Sequence, residues 1–376
     1  MAQNMPLFVQ QLRFLFFDPN TMKHLRLTPG AGVAPLKEQP SVPAALPDAK
    51  ETKLHPSNAS SASTNASLFF VGTATTILEW EGLRILTDPN FLHAGDHVHL
   101  GPGVSATRRT NPALDIEDLP HIDLILLSHY HEDHFDRLVE DKLSREIPIV
   151  TTPHAYSCLT SKGADSFTNV HALDFWEGLI VDVHSSSVET DKRTPSLKIT
   201  GMPGKHVPPG PLNVVNELLG AVPPTNGWMI ELGYSSPSSA NADEFASGYR
   251  VYITGDTLMV DELKEIPQRY AGLNIDLMLI HLGGTTIPAP SVPLLMVTMD
   301  AKQGVELMHL IDPDVTIPIH YDDYDVFLSP LDDFKKEVEK AGLGAKVVYL
   351  DRKDQYKFSV KQEGVKKGIK DLPTAS

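Results

Sequence analysis

Apolar positions in this chain gather in short runs bounded by turn residues, a pattern of many strands interleaved with a few helices. Residues 67–78 are rich in Phe, Val, Thr and Ile, and Glu81-Gly82 turns them into residues 83–87, which predicts a β-hairpin closed by Asp88-Pro89-Asn90. A Gly-, Pro- and His-bearing loop, with His97 and His99, then runs to about residue 119. Residues 121–128 read as a buried strand, because 122–127 is an almost continuous apolar run interrupted only by Asp123. The same reading gives a helix over 137–146, a strand over 147–151 and a helix over 154–162. Further strands follow over 178–185, 196–202, 227–234, 249–254, 275–281, 315–319 and 346–350, and further helices over 261–270, 298–311 and 330–341. Alternating strands and helices make an α/β chain.

The ends read differently. Residues 1–66 lack periodicity and finish in the tract from Ser57 to Asn65, which has the composition of a flexible linker. They are expected to form an extension, with Leu7, Val9, Leu12, Phe14, Leu15 and Phe16 available to dock on the body or on a partner subunit. A domain over 67–352 follows, then a tail over 353–376. The Pro-rich stretch 210–226 interrupts two strands and is a candidate substrate loop or lid.

Composition narrows the function classes. With 41% hydrophobic residues the chain can bury a sizeable core. Its 32 basic against 48 acidic residues give a net charge of −16, a field that repels nucleic-acid phosphate and anionic lipid. No apolar run approaches the roughly 18 residues of a membrane span. The single cysteine, Cys158, cannot form an internal disulfide; it reads as a small hydrophobe and fits a reducing, cytoplasmic setting. The expected partner is therefore a small-molecule substrate, with self-association left open.

The chemistry lies just after the strand at 121–128, where Ser128-His129-Tyr130-His131-Glu132-Asp133-His134-Phe135-Asp136 crowds three histidines and three acids. Two histidines at i and i+2 in extended chain point to one side and can share an ion. Asp133 and His134 begin the next turn and face a neighbouring ion. A polar loop opening a helix would explain one capping acid, such as Asp136, but not the histidines.

This His-x-His-x-Asp-His sequence after an apolar strand resembles the signature of the metallo-β-lactamase superfamily. Phe70-Val71-Gly72-Thr73-Ala74-Thr75, Ile85-Leu86-Thr87-Asp88-Pro89 and Ile317-Pro318-Ile319-His320-Tyr321 are similar to its subfamily of ascorbate-6-phosphate lactonase and N-acylphosphatidylethanolamine phospholipase D, which often has histidine where this chain has Thr73. The resemblance implies a four-layer αββα sandwich and two divalent metals, zinc foremost, with manganese and iron accepting the same donors. It implies His129, His131, His206 and Asp256 as ligands of one ion and Asp133, His134, Asp256 and His320 as ligands of the other, Asp256 bridging.

Such a centre implies a hydrolase that turns a metal-activated hydroxide on a small lactone, ester or cyclic amide. Asp133 or Asp256 would accept and return the proton, and His281 or Tyr321 would stabilise the oxyanion. Tyr130 is placed to line the pocket. Two other readings stand beside this one: a phospholipase D-like phosphodiesterase, with Arg108-Arg109 gripping phosphate, and a non-catalytic metal-binding protein of the same fold.

Overall fold

The buried apolar runs assemble into two sheets that share one core. A computed structural model describes residues 23–55, 64–101, 103–184, 193–207, 210, 216, 222–235, 245–289 and 292–362. In chain order the strands are β1 (Lys23–Leu27), β2 (Thr52–Leu54), β3 (Ala66–Gly72), β4 (Thr75–Trp80), β5 (Leu83–Thr87), β6 (His97–His99), β7 (Ser105–Thr107), β8 (Leu124–Leu126), β9 (Ile149–Thr151), β10 (Val170–Ala172), β11 (Gly178–Val183), β12 (Thr194–Met202), β13 (Gly227–Ser235), β14 (Ala246–Ile253), β15 (Leu277–His281), β16 (Thr286–Ala289), β17 (Val292–Met296), β18 (Val315–Ile319) and β19 (Gln355–Phe358). The helices are α1 (Arg137–Lys142), α2 (Pro153–Thr160), α3 (Glu265–Arg269), α4 (Ala301–Ile311) and α5 (Leu331–Lys340).

Among the described residues an eight-stranded sheet runs β10-β9-β8-β5-β4-β3-β19-β2, and a seven-stranded sheet runs β1-β11-β12-β13-β14-β15-β18. Strand alternation explains why both faces of each sheet are apolar. Leu124 and Leu126 of β8 point inward to meet Ile199, Ile230, Val251 and Leu279 of the other sheet, while Ile125 points outward to Val139 of α1 and Leu159 of α2. On the far side Met278 and Ile280 of β15 pack against Val305 and Met308 of α4 and Phe334 and Val338 of α5. Helix, sheet, sheet and helix stack as four layers, in agreement with the αββα expectation.

Several elements differ from the sequence reading, each for a local reason. The hairpin expected over 67–87 is a three-stranded meander, because Thr73 adopts φ +52° and turns the chain between β3 and β4. No strand forms over 346–350: Gly344–Lys346 is a 3₁₀ turn and Val347 makes a lone bridge to Thr316. The helix expected over 261–270 splits into a 3₁₀ turn, Asp261–Lys264, and the short α3. Pro267, which lacks an N–H and crowds the preceding turn, sits inside it.

The ends of the chain also enter the fold. β1 lies parallel to β11 at one edge of the seven-stranded sheet, and Leu36 is buried and bridges Leu143. β19, in the expected tail, inserts antiparallel to β3 and carries β2 parallel on its other side. Such three- to five-residue strands have too little pattern to read in isolation; their partners supply the register. The apolar residues from Leu7 to Phe16, most of the Ser/Asn tract and most of the proposed lid over 210–226 lie outside the described residues. No helix among the described residues is long and apolar enough to cross a membrane.

Candidate metal centre

Strands β12, β14, β15 and β18 run in the same direction, so their C-terminal ends meet at one edge of the seven-stranded sheet. His206 follows β12, Asp256 follows β14, His281 ends β15 and His320 follows β18. Opposite them, the chain leaving β8 carries His129, His131, Asp133 and His134 before α1. The Asp136 carboxylate caps α1 by accepting from Val139 N at 2.8 Å, and also accepts from Phe91 N at 2.5 Å, which pins the end of this loop. Asp136 thus performs the capping role that its place before the helix suggests.

Each ligand-bearing loop is tightly constrained. Asp88, at φ +37°, accepts from Ser128 N at 2.7 Å and lies 3.3 Å from His134 Nδ1. Gly255, at φ +62°, brings Asp256 into the site; a Cβ there would fall 2.3 Å from the carbonyl oxygen of Asn226. His320, at φ +61°, donates its backbone N–H to Thr73 O at 2.9 Å and sets its Nδ1 3.0 Å from Leu282 O. Left-handed conformations at Thr73, Asp88 and His320, none of them glycine, concentrate backbone strain where these side chains converge.

The seven side chains singled out in the sequence fall into overlapping groups. Asp133, His134, Asp256 and His320 offer donor atoms that all lie within 4.8 Å of one another, as do His129, His206 and Asp256, and His129, His131 and Asp133. His131 thus meets its set through His129, its ring 6.4 Å from that of His206. Asp256, Asp133, His129 and His134 each belong to two groups. A further group, Asp88, His134 and His281, includes Asp88, which the sequence shows only as the end of a strand.

Electrostatics divide the imidazoles: against the effect of burial, Asp256 and Asp133 hold His134 well above its usual pKa and His320 above it. Burial, with His134 and His206 nearby, holds the His129 imidazole well below its usual pKa, and burial pushes His206 down to about 4, leaving both as neutral donors. Burial alone would raise Asp133 and Asp256, but the imidazoles of His134 and His131 around Asp133, and of His320 and His134 around Asp256, hold both well below the usual carboxylate range. The Nε2 atoms of His129, His131, His134, His206, His281 and His320 are buried and make no hydrogen bond. A buried polar atom without a hydrogen bond is costly, and six in one place call for a shared partner. Divalent metal provides one: these are imidazole and carboxylate donors of the kind zinc, manganese and iron take.

The remaining sequence candidates separate. His281 lies within the cluster, with Nδ1 3.0 Å from Asp256 Oδ1. Tyr321 turns its hydroxyl to Leu350 O at 3.3 Å, and Tyr130 donates to Glu140 at 2.6 Å, so neither hydroxyl is presented to the cluster. Arg108 is wholly buried on Asp323, Asn90 and the carbonyl of Thr110, which corrects its reading as a phosphate grip; Arg109 is exposed. His97 and His99 are exposed on the β6–β7 ribbon, beside Thr107 and Ser105. Cys158 is half-buried beside His154.

Comparison with known proteins gives the family of the fold. A model of the β-lactamase superfamily domain matches residues 83–321. A metal-dependent hydrolase of Archaeoglobus fulgidus is 25% identical over 237 residues, 63% of this chain and 82% of its own. The mitochondrial N-acyl-phosphatidylethanolamine-hydrolyzing phospholipase D of Saccharomyces cerevisiae is 34% identical over 134 residues, 35% of this chain but only 27% of the yeast protein. Among solved structures, an isothiocyanate hydrolase from Delia radicum gut bacteria superposes with a TM-score of 0.58 at 17% identity, over 78% of this chain and 99% of its own, a likeness of fold. The matched domain spans both β8 with its His-x-His-x-Asp-His loop and the strand end that carries His320, and the chain belongs to the metallo-β-lactamase superfamily.

Proposed function

We propose that this metal-dependent hydrolase of the metallo-β-lactamase superfamily opens a small lactone, with acyclic esters and cyclic amides as related substrates, at a centre of two divalent ions. The observation that carries the reading is the convergence of six unbonded, buried imidazole nitrogens with Asp133 and Asp256. His129, His131 and His206 would hold one ion, Asp133, His134 and His320 the other, and Asp256 both. Bound there, zinc or a similar ion would make water nucleophilic near neutral pH and polarise the oxygen under attack.

The chain's own groups manage position and protons. Asp133 or Asp256 accepts the proton as the water oxygen bonds to the carbonyl carbon. When the ring C–O bond breaks, the same carboxyl returns the proton to the leaving alkoxide, and the product is a hydroxy acid. His281 directs Nδ1 at Asp256, which leaves the Nε2 lone pair toward the cluster. That tautomer suits proton acceptance better than oxyanion binding. Tyr321, spent on Leu350, acts through packing.

Consumption of Arg108 by Asp323 and Asn90 favours a carbonyl substrate over a phosphodiester. The yeast phospholipase D similarity keeps the phosphodiester reading alive as the alternative. A hydrolysis screen of lactones, esters, cyclic amides and phosphodiesters on zinc-loaded protein decides between them. Chelator-sensitive ring opening is expected, with His281→Asn lowering kcat by about 10²-fold or more and Tyr321→Phe leaving it near wild type. Turnover of phosphodiesters alone would transfer the assignment to the alternative, and metal binding without any turnover would leave a non-catalytic metal-binding protein.

A further inference from the structure

Asp256 stands in one donor group with Asp133, His134 and His320 and in another with His129 and His206, so the direction of its carboxylate matters to both. Each oxygen has one hydrogen-bonding neighbour. His281 Nδ1 lies 3.0 Å from Oδ1, and the Thr298 hydroxyl donates to Oδ2 at 2.9 Å. Thr298 is completely buried, so its hydroxyl has no water to turn to. Because the acceptor is ionised, this hydrogen bond is of the stronger, charge-assisted kind.

The backbone around Thr298 is fixed from several directions. Val297 N–H donates to Thr285 O at 2.8 Å, Met299 N–H to Thr257 O at 3.0 Å, and Gly284 N–H to Met299 O at 3.0 Å. Val297 O also lies 3.0 Å from His206 Nδ1. That contact selects the tautomer with hydrogen on Nδ1 and leaves Nε2, buried and without a hydrogen bond, as the donor atom. One tripeptide thus orients two residues of the cluster, one through its carbonyl and the other through a hydroxyl.

We propose that Thr298 is a positioning residue for the metal centre: its hydroxyl fixes the orientation of the Asp256 carboxylate, the side chain that would serve both ions. The inference rests on the binuclear reading above and adds a requirement that the cluster alone does not impose. It also explains why a β-branched hydroxyl residue stands at this point. The branching stiffens χ1 while the hydroxyl reaches the carboxylate.

The test uses the full chain and the metal alone. Zn²⁺ affinity is measured by chelator competition, and Co²⁺ is added as a spectroscopic probe, for wild type, Thr298→Val and Thr298→Ser. Valine keeps the shape and removes the donor; serine keeps the donor. The valine variant is expected to bind its weaker equivalent of Zn²⁺ about 10- to 100-fold less tightly and to show altered Co²⁺ absorption bands. Serine is expected to restore both toward wild type, and all three apo proteins should unfold at similar urea concentrations. Wild-type affinity and spectrum in the valine variant would overturn the role of Thr298 while leaving the metal centre standing. Equal loss in valine and serine would overturn it too, by showing that packing rather than the hydroxyl matters. Failure of the wild type itself to bind Zn²⁺ or Co²⁺ would instead remove the binuclear reading on which the inference rests.

Discussion

Asp256→Ala is expected to release metal from both halves of the centre, whereas His131→Ala should weaken one. The difference follows from membership: Asp256 shares one donor group with Asp133, His134 and His320 and another with His129 and His206, while His131 appears in one group only. Turnover of any substrate found by the screen should fall roughly 10³-fold or more, because residues that act as a unit fail together. Elemental analysis and kinetics on the same preparations check this. An Asp256→Ala protein that retains full metal content would contradict the bridging role, even if its turnover were lost. Far-ultraviolet circular dichroism should remain that of the wild type, since removing a buried carboxylate also removes the cost of burying its charge.

Asp323→Ala should produce the largest loss of stability among these variants, about 3–5 kcal/mol. The carboxylate is buried against Arg352 Nη2 at 2.8 Å and Arg108 Nη2 at 3.4 Å, and it accepts from Thr110 and from Thr73 N at 2.8 Å. Alanine would leave the wholly buried Arg108 guanidinium without its carboxylate. Asp323 also fixes Thr73, whose carbonyl holds His320, so weaker metal retention should accompany the instability. Urea unfolding at neutral pH measures the first effect, and an unchanged midpoint would contradict it.

The same residue gives a sign for acid stability. Burial alone would raise the Asp323 pKa, but Arg352 and Arg108 hold it below the ordinary carboxylate range. The unfolded chain therefore binds its proton first as pH falls. The stabilisation from Asp323 is complete above the unfolded value of about 4 and declines as pH drops through the lower folded value.

Much of the site was legible because metal chemistry compresses its donors into a short motif. His129, His131, Asp133 and His134 lie within six residues, and no ordinary loop needs three imidazoles there. His206, Asp256 and His320 became legible only through resemblance, since their convergence depends on three parallel strands ending at one edge. Thr298 and the carbonyl of Val297 carried no signal, and Asp88 stood only within a resembling segment, with no role attached to it. An aspartate before proline marks a turn in any protein, and a backbone carbonyl has no sequence identity at all. Arg108 misled for the opposite reason, since an Arg-Arg pair looks solvated until Asp323, more than two hundred residues later, is seen to neutralise it. In the fold, the long apolar strands β13 and β14 were readable by run length, whereas β1, β2 and β19 exist only because neighbouring strands accept them.

The most direct measurement is the metal content of the wild-type protein after gentle purification and after incubation with Zn²⁺, Mn²⁺ or Fe²⁺. About two equivalents per chain of one of these metals are predicted, because Asp256 joins the Asp133, His134 and His320 donors to the His129 and His206 donors. A chain that carries none and takes up none of the three would contradict the account, and the six buried imidazole nitrogens would then need another partner.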